Sequence, residues 1–220
     1  MKKKVAVILS GCGFKDGSEI HEATCTLLAL SQHGVEYQCF APNRLSFAVN
    51  HLTMQPESEK RNILTEAARI ARGKILAVAA LKVENFAALI FPGGFGAATQ
   101  LCNFASAGEN CEVDADVAHV VAEFVKAKKP IGAICIAPAM LAKALELVGV
   151  QARLTIGDEV ETAQKVEMMG HSHVMCSSVD CVVDEAHQVV TTPAYMNAQN
   201  IAEVYQGVTK LVEQVLFLAK

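Results

Sequence analysis

Short apolar runs, each closed by a turn residue or passing into a helix-like stretch, constrain this chain more than any other feature. Val5–Leu9 ends on Ser10-Gly11, Glu36–Ala41 on Pro42, and Ala87–Phe91 on Pro92-Gly93-Gly94. Ile131–Cys135 passes directly into Ile136-Ala137. Runs this short and this apolar belong to strands buried on both faces of a parallel sheet. The stretches between them repeat at helical spacing: Ile20, Ala23, Leu27, Leu28 and Leu30 before Gly34, and Val117, Val120, Val121, Phe124 and Val125 within Asp114–Lys129. Asp16 and Glu19 stand at capping-box spacing ahead of the first of these. Pro56–Arg72 reads as a helix ending at Gly73, and Ala137–Leu147 as another. The last third predicts short strands at Arg153–Ile156, His173–Cys176, Cys181–Val183 and Val189–Thr192, then a helix over Asn197–Ala219. Strands alternating with helices, without a repeat or linker, predict one α/β domain over residues 1–220 with a mostly parallel sheet covered on both faces.

Composition removes whole classes of function. With 52% hydrophobic and 19% charged residues among 220, the chain is neither disordered nor a coiled coil. A net charge of −4 and the absence of Trp leave no basic field or stacking platform for nucleic acid. No run of about 18 uncharged apolar residues is present, so no membrane span is expected. The basic start Met1-Lys2-Lys3-Lys4 leads into an apolar run too short for a signal-peptide core. The expected location is cytoplasmic, or mitochondrial for a processed eukaryotic chain. The eight cysteines contain no Cys-x-x-Cys pair, so free thiols are expected rather than disulfides or a zinc site.

Ligands of an open parallel sheet bind beyond the carboxyl ends of its strands. Cys135 stands at such an end, in Gly132-Ala133-Ile134-Cys135-Ile136-Ala137. Small residues two positions to either side are what a nucleophile elbow needs, since the sharp turn packs its neighbours against the strand. The adjacent helix N-terminus favours a thiolate, and the Ile136 amide is one oxyanion donor. A buried core cysteine is the bland alternative. Gly93 and Gly94 let backbone amides approach a ligand and supply a second donor; alone they read equally well as a tight turn. Gly11-Cys12-Gly13 mimics a nucleotide loop, but its spacing is wrong and no acid follows the second strand. Glu19 and Glu22 share a helix face; one caps, the other turns inward as a proton carrier. His21 reads as an outward-facing residue beside Glu22. His171, His173, Cys176 and Cys181 match no zinc spacing, so no metal and no other cofactor is expected.

These residues resemble the PfpI/ThiJ superfamily over nearly the whole chain. The match rests on the Glu19/Glu22 segment, Phe91-Pro92-Gly93-Gly94 and Ala133-Ile134-Cys135-Ile136-Ala137-Pro138. Within it the chain is most similar to the enhancing-lycopene-biosynthesis (ElbB) branch, also called glutamine amidotransferase-like class 1 proteins. Asp16-Gly17-Ser18-Glu19-Ile20-His21-Glu22-Ala23, Asn103-Phe104-Ala105-Ser106 and Thr191-Thr192-Pro193-Ala194-Tyr195-Met196 are among the runs that carry the closer likeness. The resemblance implies a flavodoxin-like three-layer sandwich with a nucleophile elbow, and a homodimer. It implies Cys135 as the reactive thiol, Glu22 as the acid bonded to it, and Gly94 and Ile136 as oxyanion amides, with Gly93 beside them. It implies weak conversion of glyoxal to glycolate without glutathione, of hydro-lyase type, and a link by name to isoprenoid biosynthesis. One departure concerns the His that many members carry after the elbow helix. Gly157 stands there, in Leu154-Thr155-Ile156-Gly157, and is expected to leave space opposite Cys135. No His here has Glu two residues later, so glutaminase chemistry is not expected.

The expected function is that of a cysteine-dependent glyoxalase acting on a small aldehyde or dicarbonyl. Two alternatives stand beside it. One is a redox-sensing or binding module whose cysteine oxidises with little or no turnover. The other is a noncatalytic partner in isoprenoid metabolism.

Overall fold

The structure, a computed structural model, describes residues 4–219; Met1-Lys2-Lys3 of the basic start lies outside them. The chain runs β1 (Lys4–Ile8), α1 (Ile20–Gln32), β2 (Glu36–Ala41), β3 (Leu45–Asn50), β4 (Gln55–Asn62), α2 (Ile63–Ile70), β5 (Ile75–Ala77) and β6 (Ala88–Phe91). It continues through α3 (Gly96–Thr99), α4 (Phe104–Ala107), α5 (Ala115–Lys126), β7 (Ile131–Ile134), α6 (Ala137–Glu146), β8 (Arg153–Leu154) and α7 (Val160–Met168). It closes with β9 (Ser172–His173), β10 (Val182–Asp184), β11 (Val189–Thr192) and α8 (Ile201–Leu218).

Among the described residues, seven strands form one sheet in the order β10-β11-β7-β6-β1-β2-β5. All its pairs are parallel except β10–β11. The central strands β1, β6 and β7 are buried almost throughout, as strands without a solvent face must be. Helices flank the sheet: α1 packs on α8, α8 on β7 and β11, and α5 on α6. Gly132 in β7 makes room for α8, since a side chain there would meet Leu211 and Val215 at 3.0–3.1 Å.

Several expectations need correction. Pro56–Arg72 is not one helix: Gln55–Asn62 is β4, paired antiparallel with β3, and the helix starts only at Ile63. The segment Gln55-Pro56-Glu57-Ser58-Glu59-Lys60 carries no apolar face to hold a helix against a core. The Asn62 side chain caps the helix that follows, at the Thr65 amide. Asp16 does not cap α1; its carboxylate accepts the Val49 amide at 2.7 Å, pinning the hairpin. α7 has no counterpart in the sequence expectations. Of His173–Cys176 only His173 is strand, as the end of β9, which pairs with β8 outside the main sheet. The terminal helix begins after Asn200, which caps it through the Ala202 and Glu203 amides.

Candidate active site

The parallel register delivers four chain crossings to one edge, at the carboxyl ends of β1, β6, β7 and β11. Backbone bonds lock them together. Cys135 N donates to Thr192 O at 2.9 Å, Glu19 N to Gly93 O at 3.0 Å, and Gly96 N to Gly17 O at 3.0 Å.

Cys135 follows β7 with φ +62°, the left-handed region, and α6 begins two residues later. That conformation costs a non-glycine residue about 1–2 kcal/mol. The surroundings hold it: Ala133 and Ala137 on either side are fully buried. Cys135 itself is 8% exposed.

Glu22 lies in the first turn of α1, wholly buried. Glu19 is the cap, its Oε2 accepting the Glu22 amide at 2.7 Å, so Glu22 is the carboxyl that turns inward. Its Oε1 accepts the Tyr195 amide at 3.3 Å. Its Oε2 is buried without a well-aligned donor, and the carboxyl faces the Cys135 thiol. A buried carboxyl oxygen with no donor is best satisfied by carrying a proton itself. Burial, reinforced by the negative charge of Glu19, pushes the Glu22 carboxyl up to about 8.

The helix end predicts an ionised sulfur; the resting geometry favours the thiol. Burial, and then the charge of Glu22 when ionised, push Cys135 well above the usual thiol range. Amide hydrogen bonds from Gly94 and Ile136 pull the other way without prevailing. Desolvation of a nearly enclosed sulfur outweighs the partial positive charges at a helix end.

Gly93 and Gly94 have separate reasons to lack side chains. A Cβ on Gly93 would lie 2.4 Å from the Cys135 Cβ and 2.5 Å from Glu22 Oε2, filling the space between sulfur and carboxyl. Gly94 has φ +92°, and a Cβ there would meet Glu19 N at 2.3 Å. The structure thus brings Cys135, Glu22, Gly93, Gly94 and Ile136 into one place.

A cleft of about 340 Å³ opens beside them. Phe14, Phe95, Ile136 and Met196 give it an apolar wall, and Glu19, Glu159, Thr162 and Tyr195 its polar points. Glu159 caps α7 through the Glu161 and Thr162 amides, and its bond with Thr162 holds it below the usual carboxylate range. His21 is half exposed, but its Nδ1 lies 2.8 Å from the Tyr195 hydroxyl, so it reaches the cleft wall from outside.

Gly157 does not leave the expected vacancy. It has φ +88°, and a Cβ there would sit 3.1 Å from both Asn197 Nδ2 and Pro193 Cβ, so its neighbours already occupy the space. His171 is a buried strut: its Nδ1 accepts the Ala152 amide at 3.1 Å and its Nε2 faces Ala142 O at 2.8 Å. His173 lies near the Ile156 amide. Among the described residues no three His, Cys, Asp or Glu side chains are grouped to hold a metal. The Gly11–Gly17 loop is tightly packed on itself, since a side chain on Gly17 would meet Cys12 N at 2.3 Å.

Sequence reasoning assigns no role to Tyr195, Phe14, Phe95, Glu159 or Thr162. For Tyr195 a signal exists, because Pro193-Ala194-Tyr195 follows a strand at its carboxyl end, where ligands bind. For Glu159 and Thr162 there is none, because α7 itself is not legible.

The DJ-1/PfpI family model matches residues 3–203. The human mitochondrial glutamine amidotransferase-like class 1 domain-containing protein 3 is 45% identical over 226 residues, covering 98% of this chain and 83% of that protein. The mitochondrial ES1 protein homolog of Rattus norvegicus is 43% identical, covering 99% and 84%. A solved structure, an isoprenoid biosynthesis protein with amidotransferase-like domain from Ehrlichia chaffeensis, superposes with TM-score 0.90 at 37% identity, covering 97% of this chain and 99% of that one. Drosophila melanogaster DJ-1beta, at 21% identity and TM-score 0.58 over 100% of this chain and 96% of that one, shares the fold.

Proposed function

This chain belongs to the DJ-1/PfpI family, and from that premise we propose that it converts small α-oxoaldehydes to 2-hydroxy acids through Cys135, without a cofactor. One observation carries the reading. A wholly buried carboxyl, pushed up to about 8 by that burial, faces a thiol at the edge of an apolar cleft, and two backbone amides are directed at the same sulfur.

The reactive form of the pair holds one proton between two groups. Glu22 as carboxylate takes the thiol proton, and the sulfur attacks the aldehyde carbon. An S–C bond forms and the carbonyl π pair moves onto oxygen. The Gly94 and Ile136 amides hold that oxygen until Glu22 returns the proton to it. The product is a hemithioacetal. Glu22 then removes the proton on the former aldehyde carbon, the adjacent hydroxyl passes its proton to the neighbouring oxygen in the enediolate so formed, and Glu22 delivers the carbon-derived proton to the neighbouring carbon. The thioester so formed is cleaved by water, releasing the 2-hydroxy acid and restoring the thiol. Atoms balance as oxoaldehyde plus water to hydroxy acid, with no external oxidant.

Cys135→Ala is expected to reduce glycolate formation from glyoxal, or lactate formation from methylglyoxal, to the uncatalysed rate. Full turnover in that variant ends the proposal. The redox-sensor alternative gains less support, because a thiol held protonated by burial reacts slowly with peroxide. The mitochondrial names of the human and rat relatives support the mitochondrial of the two expected locations for this chain. The reading includes a homodimer, supported by exposed Leu45, Phe47, Leu52 and Met54 on the β3–β4 hairpin. Sedimentation equilibrium that finds only monomer at micromolar concentration removes that part alone.

A further inference from the structure

Cys102 and Cys111 do not line the cleft, and the proposed mechanism uses neither. Cys102 pairs with Val113 in an antiparallel bridge. Asn103 N donates to Glu112 O at 3.1 Å and Asp114 N to Leu101 O at 2.8 Å, so the segments around residues 102 and 113 run side by side. Between them the chain loops out through α4 and returns at Cys111, whose amide donates to Gly108 O at 3.1 Å. Two thiols therefore stand at the neck of one short loop, Cys111 two residues before the Val113 that faces Cys102, near enough for each to shift the other's titration. The Cys102 thiol also lies 3.3 Å from Ala97 O. Lys143 Nζ donates to Glu109 O at 3.1 Å, which keeps an ammonium group beside the same loop.

We propose that Cys102 and Cys111 form a second reactive centre, at which a small hydroperoxide converts the two thiols into an intrachain disulfide. The step balances. The Cys111 sulfur, as thiolate, attacks one peroxide oxygen; the O–O bond breaks, an alcohol (water, from hydrogen peroxide) leaves, and Cys111 becomes a sulfenic acid. The Cys102 sulfur then attacks the Cys111 sulfur, the S–O bond breaks, and hydroxide leaves as water with the Cys102 proton. Two thiols lose two electrons and one peroxide gains them.

Cys111 is the attacking sulfur for a physical reason. Of the eight cysteines it alone is pulled below the usual thiol range, first by its interaction with Cys102 and also by the charge of Lys143, against burial and the charge of Glu146, which pairs with that lysine at 2.7 Å. The other seven are all raised, chiefly by burial except at Cys102, whose interaction with Cys111 leads. A thiolate-leaning sulfur beside a second thiol is the arrangement of an attacking and a resolving cysteine. Both are buried, at 6% and 2% exposure, so the oxidant has to be small.

The test treats the folded, reduced full chain with hydrogen peroxide, then denatures it, alkylates free thiols, and maps them by mass. Trypsin leaves Cys102 and Cys111 in one peptide, because no Lys or Arg lies between Lys82 and Lys126. A second cut after Glu109 separates them unless a disulfide joins them. The expected result is a cross-linked pair that has lost two hydrogens and takes up no alkylating agent, while Cys39, buried elsewhere in the core, stays fully alkylated. In Cys102→Ser the expected product is a Cys111 sulfenic acid trapped by dimedone; in Cys111→Ser no disulfide forms at Cys102. Full alkylation of both residues after peroxide treatment overturns the proposal. So does pairing of either with another cysteine, or oxidation of Cys39 at the same rate, which would report unfolding.

Discussion

Glu22 and Cys135 behave as one titrating unit rather than as an acid and a nucleophile set side by side. Below about pH 8 the pair holds both protons, because burial raises each group. Attack needs Glu22 to be free to accept the thiol proton. The proposed activity therefore rises with pH through about 8, and kcat/KM measured across the neutral to alkaline range is expected to show that ascent. Glu22→Gln keeps the shape and removes the titration. It is expected to lower kcat/KM on the order of 10²-fold and to abolish the inflection near 8. An unchanged profile in the variant assigns the inflection to another group. That Cys135 has a reactive placement is legible in its flanking Ala133 and Ala137. That it rests as a thiol is not, because desolvation depends on the residues of β6, β11 and α1 closing over it.

Where helices and strands meet, the joints are set by which side chains are absent. Gly207 in α8 is the sharpest case: a Cβ there would lie 2.1 Å from Ser178 O and 2.8 Å from Thr192 Oγ1. Helix propensity favours alanine over glycine by about 1 kcal/mol. Overpacking against backbone that cannot yield costs about 1–3 kcal/mol. Gly207→Ala is thus expected to lower the melting temperature by several degrees, the clash outweighing the propensity gain; a rise would show that α8 can lift off the Ser178 loop. Strands β1, β6 and β7 are legible in the sequence because full burial leaves an unbroken apolar signature. The β3–β4 hairpin is not, since its residues are mostly part-buried or exposed and its pairing is held in part by the remote Asp16 carboxylate.

Over the entire chain, stability has two pH-dependent edges of opposite sign. Glu22 is raised from 4.5 to about 8 on folding. Its contribution is complete below pH 4.5 and is lost as pH climbs through about 8, on the order of a few kcal/mol for a carboxyl this buried. His171 is lowered, mainly by burial. Its contribution is complete above 6.5 and is lost as pH falls through its depressed folded value, because a second ring proton displaces the Ala152 amide. Melting curves across a mildly acid to alkaline series are expected to show wild type losing ground to Glu22→Gln toward the alkaline end. The same curves are expected to show its advantage over His171→Gln narrowing toward the acid end. Parallel curves for either pair would deny that residue its share.

The alternating α/β plan, the buried strands, the turn at Cys135 and the family likeness can all be read from the order of residues, because each rests on local periodicity or on neighbours close in the chain. The assembled fold alone makes Glu19 the cap and turns Glu22 inward, brings Tyr195 over the site, fills the space at Gly157 with Asn197 and Pro193, and leaves the sulfur protonated. Each of these depends on which distant segments exclude water from a group, and the cost of losing water is a property of the packed surroundings rather than of any stretch of chain.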